Sequence, residues 1–306
     1  MIAIFEILLP VFALLICGFL LGRTKLFDEN SASKLINFVW YVAIPALLFR
    51  SIASHPIPLD EMRLVASYYI AMYLVYAGMM LLGRWWFGQN RAEQTMFAFA
   101  TCFANAGFIG IPVIEGAFGP DGLRLMLMII SFHSLTLLSV SSILVASHKT
   151  GRWSPIALIN DIKTNPIVIT LVIAISWSLF GLPYPDVLDR ILAMPAAAAA
   201  PVGLFAVGLS LNQVKLDGDL KQAGVGTFAS LIIMPLIVWA VGKYIFDLPD
   251  LWLGVATLYA ALPGGLVPYS FALKEGLAPR RVASLILLTM IFAPLTLSYI
   301  IWVFIP

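Results

Sequence analysis

The stretch Ala104-Asn105-Ala106-Gly107-Phe108-Ile109-Gly110-Ile111-Pro112 breaks an apolar run mid-way, and Ala261-Leu262-Pro263-Gly264-Gly265-Leu266-Val267-Pro268 breaks another in the same manner. Each run is about as long as a membrane span, ~20 residues. Proline lacks the N–H that a helix interior needs, and glycine weakens the helix around it. Lipid cannot satisfy the backbone groups freed at such a break, so it persists only where they are buried in protein or line a polar cavity. Two breaks, one in each half of a chain, predict the ligand-binding centre of a membrane transporter.

Composition agrees with that setting. Hydrophobic residues make up 61% of the 306 positions and charged residues 11%, against ~25% charged in a soluble domain. The net charge is +2, with the basic residues scattered singly between apolar runs, so no nucleic-acid partner is expected. Cys17 and Cys102 both fall in apolar segments; two cysteines make neither a disulfide framework nor a metal site, and they read as small buried fillers. Glu6 precedes the first apolar core, while Arg23 and Lys25 follow it. That is the reverse of a cleavable signal, so the segment is expected to stay as the first span, with its N-terminus outside.

Apolar length places ten spans, at 2–22, 34–53, 62–83, 93–118, 123–147, 164–181, 187–210, 222–245, 250–273 and 281–304, with prolines inside the second, fourth, seventh and ninth. One set of alternate loops holds 13 basic residues (Arg23, Lys25, Lys34, Arg84, Arg91, Lys149, Arg152, Lys163, Lys215, Lys221, Lys274, Arg280 and Arg281). The other holds 5: Arg50, Arg63, Arg124, Arg190 and Lys243. The positive-inside rule then puts both termini on the extracytoplasmic side of the cell membrane.

The halves 1–150 and 151–306 correspond at an offset of 156, which pairs Pro10 with Pro166, Pro45 with Pro201 and Pro112 with Pro268. Lys34 and Arg190, Phe49 and Phe205, and Arg124 and Arg280 share the same offset. Five spans per half is an odd number, so the second repeat must be inserted inverted, as in many secondary transporters.

Each break leaves a half-helix whose first N–H groups and positive dipole end are free to receive an anion. Gly107, Gly110, Gly264 and Gly265 let backbone and ligand approach closely. Pro112 and Pro268 cost nothing near the start of the following half-helix. Asn105 adds a neutral amide that can donate to a carboxylate. Opposed helix ends, one amide and no fixed positive charge suit a small carboxylate held reversibly.

Ala261-Leu262-Pro263-Gly264-Gly265-Leu266-Val267-Pro268-Tyr269 closely resembles the ninth-span motif of the auxin efflux carrier family, and Asn105 with Gly110-Ile111-Pro112 resembles its fourth-span crossover. Tyr41-Val42-Ala43-Ile44-Pro45-Ala46-Leu47-Leu48-Phe49 resembles the second span, and Phe205-Ala206-Val207-Gly208-Leu209 the seventh. The resemblance implies an all-α protein with ten transmembrane helices in a five-plus-five inverted repeat, similar to bile-acid symporters and sodium–proton antiporters. It also implies a scaffold of helices 1, 2, 6 and 7, a transport part of helices 3–5 and 8–10, and a homodimer through the scaffold. Organic anions would bind where broken helices 4 and 9 cross, with Asn105 as the carboxylate-binding asparagine. The implied substrate set is Asn105, Gly107, Phe108, Gly110, Pro112, Pro263, Gly264, Gly265, Val267, Pro268 and Tyr269, with Pro45, Phe49, Pro201 and Phe205 on the scaffold side. The long loop of the plant members is absent, so the chain is more similar to compact bacterial members, some linked to malonate and other small carboxylates.

Other intramembrane polar residues have two readings each. His133, in the fifth span, could carry a coupling proton or serve as a neutral hydrogen-bonding group between helices. Its counterpart at the 156 offset is Thr289, so the repeat lends a proton role no support. Arg50 either draws anions to an outer entrance or snorkels at the interface, and Glu6 reaches the outer interface. Ser131, Ser134, Ser139, Ser141 and Ser142 bond between helices, or the first two line a pathway. Gly18 and Gly22 mark close helix packing. No acidic cluster suggests sodium coupling and no cofactor is expected. Intramembrane hydrolase motifs and a phosphate-binding loop are absent, so the chain reads as no enzyme. A proton-linked carrier of small organic anions is the leading reading; an auxin-like aromatic carboxylate exporter or uniporter, and a channel or transporter-like receptor, are the alternatives.

Overall fold

A computed structural model describes residues 2–24, 26–28, 30–53, 59–150, 166–213 and 218–305. All regular elements among them are helical. They are α1 (Ile2–Leu21), α2 (Ser31–Phe38), α3 (Ile44–Ala53), α4 (Met62–Phe87), α5 (Arg91–Cys102), α6 (Ile111–Thr150) and α7 (Pro166–Leu179). There follow α8 (Asp186–Ser210), α9 (Leu220–Phe228), α10 (Met234–Tyr244), α11 (Asp250–Ala260), α12 (Val267–Glu275) and α13 (Pro279–Phe304).

Seven stretches among the described residues are long and apolar enough to cross a membrane: Ile4–Leu21, Ser31–Ala53, Met62–Phe87, Ala106–His148, Asp186–Ser210, Leu220–Tyr244 and Pro279–Phe304. The difference from the expected ten has a physical basis. The ninth interval is cut into α11 and α12, of 11 and 9 residues, and α7 has only 14. In the fourth interval the break detaches α5, of 12 residues, and the remainder runs on into α6. α6 itself bends at Gly119, whose φ of 67° only glycine adopts freely, just before Pro120.

Proline acts elsewhere through the turn before it. Val39–Ala43 widens to a π-helix ahead of Pro45, with Ile44 N–H bonded to the Val39 carbonyl. Ala229–Ile233 does the same ahead of Pro235, with Met234 N–H on Ala229. The wider turn absorbs the donor that proline lacks; Pro235 is an interruption of the eighth interval that the sequence reading did not count.

The chain forms two compact units, Met1–Met62 with Gly107–Ser131 and Ile162–Gln213, and Arg63–Ala106 with Phe132–Asp161 and Val214–Pro306. In the first, α1 packs on α8 and α3 packs on α7 and α8. Glycine permits the closest approach: a Cβ on Gly208 would fall on the Leu15 carbonyl, and one on Gly18 on the Phe205 carbonyl. Phe27 meets Phe205, and Phe49 meets Trp177, with ring centroids 5.2 and 5.5 Å apart. Cys17 is exposed on α1, not a buried filler, whereas Cys102, in the second unit, is buried. Arg50 is neither a free anion attractor nor a lone snorkelling cation, because Asp189 holds it at 2.7 and 3.1 Å. Glu61, only 4% exposed, takes a two-pronged contact from Arg124 at 2.5 and 2.6 Å.

The second unit packs α9 on α13, α10 on α11, and α5 on α13. Asn90 caps α5 in a reciprocal box with Glu93, and Asp219 caps α9 by accepting from Lys221 and Gln222 N–H. Such caps satisfy helix-end donors and are worth ~1 kcal/mol each. Gly226 admits Leu285 and Phe97 against α9.

Candidate functional site

The two breaks meet in the second unit. Phe103 leaves α5 in an extended conformation, and Ala104 pairs with Gly264 in an antiparallel bridge. Asn105 N–H donates to the Pro263 carbonyl at 2.8 Å, and Gly265 N–H to the Phe103 carbonyl at 2.9 Å. These two bonds flank the Ala104–Gly264 pair instead of joining it. In an antiparallel ladder such a pair directs its own N–H groups outward, away from its partner strand. Each buried N–H must then find an acceptor elsewhere or cost about 1–3 kcal/mol.

Two side chains supply the acceptors. His133 Nε2 accepts the Ala104 N–H at 3.0 Å, and Thr289 Oγ1 accepts the Gly264 N–H at 2.9 Å. The Thr289 hydroxyl spends its own hydrogen on the Ile286 carbonyl at 2.7 Å, which leaves a lone pair for Gly264. His133 is 1% exposed and Thr289 fully buried. Residues 156 apart in the chain thus perform the same task for the two faces of the bridge. An N–H can only donate, so Nε2 carries a lone pair and the neutral ring holds its proton on Nδ1. Tyr68, Phe103 and Tyr259 surround the imidazole at centroid distances of 6.2, 5.0 and 5.4 Å. Among the described residues, His133 Nδ1 and the Tyr68 and Tyr259 hydroxyls have no hydrogen-bond partner.

Asn105 is 4% exposed and its Nδ2 has no partner among the described residues. A buried amide N–H group left unpaired in this way can donate to a water or to a ligand. Past the bridge, Leu266 caps α12. The N–H groups of Leu266, Val267 and Tyr269 have no backbone partner among the described residues, as expected of a helix start. Pro268 lies in that first turn, where its missing N–H costs nothing. Gly264 and Gly265 are needed for closeness: a Cβ on Gly265 would press on the Phe103 ring at 2.9 Å, and one on Gly264 on Thr289 Oγ1 at 3.2 Å.

The structure thus brings Asn105, Pro263, Gly264, Gly265, Val267, Pro268, Tyr269 and His133 into one unit. Gly107, Phe108, Gly110 and Pro112 belong to the other, as do Pro45, Phe49, Pro201 and Phe205. There the fourth-interval break continues as a π turn, Ala106–Gly110. Phe108 lies against Gly203 of α8, and Gly107 faces Ile44 of α3. Ser131 donates to the Leu127 carbonyl of its own helix, and Ser141 pairs with Tyr76 at 2.9 Å. The Ser134 and Lys149 side chains lie outside the described residues, as do Lys25, Arg152, Lys163 and Lys215 from the charge comparison. Thr289, Tyr68 and Tyr259 were not singled out in the sequence for this role, although the 156 offset pointed directly from His133 to Thr289.

An all-helical chain with several membrane-length apolar helices is a polytopic membrane protein by class. The family described as membrane transport protein matches residues 3–152 and 149–301. A Rhizobium meliloti protein provisionally named a malonate transporter is 23% identical, over 97% of this chain and 94% of its own length. An uncharacterized transporter of Methanothermobacter thermautotrophicus is 26% identical over 95% of each chain. The auxin efflux carrier component 8 of Arabidopsis thaliana is 22% identical, over 95% of this chain and 94% of its own. The chain belongs to this membrane transport protein family, the auxin efflux carrier family, and is a transporter and not an enzyme.

Proposed function

We propose that this protein is a secondary transporter that moves a small organic carboxylate across the cell membrane by alternating access. The observation that carries the reading is the pairing of two broken helices at Ala104–Gly264, beside a buried Asn105 amide without a partner among the described residues and the N–H groups at the start of α12 without a backbone partner among them. These are donors without a fixed cation. They favour an anion through hydrogen bonds and the helix dipole, yet they do not hold it as tightly as a guanidinium clamp would. A carrier must release its cargo, so the weaker set is the better one.

The reading includes ten spans in two inverted five-helix repeats, 1–150 and 151–306, with both termini extracytoplasmic and transport linked to protons. The extended pieces at 103–105 and 263–265 support a crossover of the fourth and ninth spans. The name of the Rhizobium relative makes malonate the first substrate to test. Purified protein should be stabilised against heat by malonate, since a ligand bound to the native state alone raises its stability by mass action. An aromatic monocarboxylate, indole-3-acetate, is the second arm. Stabilisation by the aromatic acid alone would turn the reading towards an auxin-like cargo, and none by any small mono- or dicarboxylate would contradict it.

A further inference from the structure

We infer that His133 is a proton-operated latch on one half of the crossover, and that Thr289 is its non-titrating counterpart on the other. The inference rests on the transport reading for its use, but not for its geometry. Ala104 N–H and a proton compete for one lone pair, that of His133 Nε2. A ring doubly protonated as imidazolium has only donors, so it cannot accept from Ala104. Any state in which His133 is charged therefore lacks the Ala104 bond, and any state with that bond excludes the second proton. The Gly264 side has no such choice, because a threonine hydroxyl stays neutral and keeps its acceptor.

The surroundings give the ring aromatic faces and, among the described residues, no counter-ion, so the charged state is costly and the neutral, latched state is the resting one. The rings packed on His133 come from α4 (Tyr68), the crossover strand (Phe103) and α11 (Tyr259). Among the described residues these contacts include no carboxylate, ammonium or guanidinium group. Aromatic faces can stabilise an imidazolium in place of a counter-ion. The Tyr68 and Tyr259 hydroxyls, without partners among the described residues, are available to an Nδ1–H. Proton uptake would thus loosen the strand that carries Asn105, one residue beyond Ala104, while the α12 side stays tied through Gly264. Lower pH shifts the population towards the unlatched state by the ordinary rule for a ligand that binds one of two states.

The test uses full-length protein in lipid bilayers without any substrate. Nitrogen-15 histidine spectra report the tautomer, and amide exchange at Ala104 is read against Gly264 in the same sample. At neutral pH an unprotonated Nε2 and protected amides at both positions are expected. As acid converts His133 to imidazolium, Ala104 should lose protection about five- to tenfold relative to Gly264, the equivalent of one net hydrogen bond. In His133→Gln the amide oxygen can accept but cannot titrate, and the ratio should not change with pH. Imidazolium appearing with Ala104 still protected would overturn the latch, as would an Nε2 already protonated at neutral pH. Absence of malonate binding would contradict the substrate reading and leave these spectra unaffected, so the two failures are distinguishable.

Discussion

His133 and Thr289, 156 positions apart in the chain, accept the outward N–H groups of the two residues that face each other in the crossover, Ala104 and Gly264. The requirement comes from ladder geometry, which turns both N–H groups away from the partner strand. Imidazole and hydroxyl meet it equally well in the neutral state and differ only in what a proton does to them.

Thr289→Val keeps the shape of the side chain and removes the acceptor. Gly264 N–H is then buried without a partner, and thermal unfolding in detergent should show a loss of about 1–3 kcal/mol. Thr289→Ser retains the hydroxyl and should unfold close to wild type. Equal losses in both variants would show that the methyl group and not the hydrogen bond matters at this position.

Asn105→Ala should leave the unfolding temperature of the ligand-free protein nearly unchanged, because its Nδ2 bonds nothing described in the protein. Malonate affinity, measured by titration calorimetry, should fall roughly tenfold, the scale of one hydrogen bond to a charged acceptor. Unaltered affinity would remove Asn105 from the site.

Helix approach in the first unit depends on Gly208, where a methyl group would overlap the Leu15 carbonyl of α1. Gly208→Ala should destabilise by about 1–3 kcal/mol, the cost of forced overpacking. Gly78→Ala is the matched control. Nothing lies within 4 Å of a Cβ there, and the change should stay within about 0.5 kcal/mol.

Glu61 and Arg124 form a largely buried ion pair, with side chains 6% and 26% exposed. Breaking it by Glu61→Gln should cost on the order of 3 kcal/mol, since a part-buried guanidinium loses its counter-charge. Arg50–Asp189 is far more exposed, at 42% and 35%, and Asp189→Asn should cost under ~1 kcal/mol. Thermal unfolding of the two variants side by side checks the order.

The all-helical membrane character of the chain and both breaks were legible in the sequence because apolar length and the placing of glycine and proline act locally. The break at 261–268 appears where its glycines and prolines predict, and the half-helix begins at Val267. What the sequence left hidden depends on residues far apart in the chain. Asp189 reaches Arg50 across 139 positions, and no local pattern marks either as the other's partner. The role of His133 was ambiguous for the same reason: its acceptor task exists only once Ala104 and Gly264 pair and turn their N–H groups outward. The π turn before Pro235 was open to a local reading, since the same proline signal follows it as at Pro45.

Counterflow in proteoliposomes tests the central claim most directly. Radiolabelled malonate uptake should saturate with concentration, accelerate when unlabelled malonate is loaded inside, and fall sharply in Asn105→Ala. Uptake that rises linearly without saturation and ignores internal malonate would contradict a carrier and mark the protein as a channel.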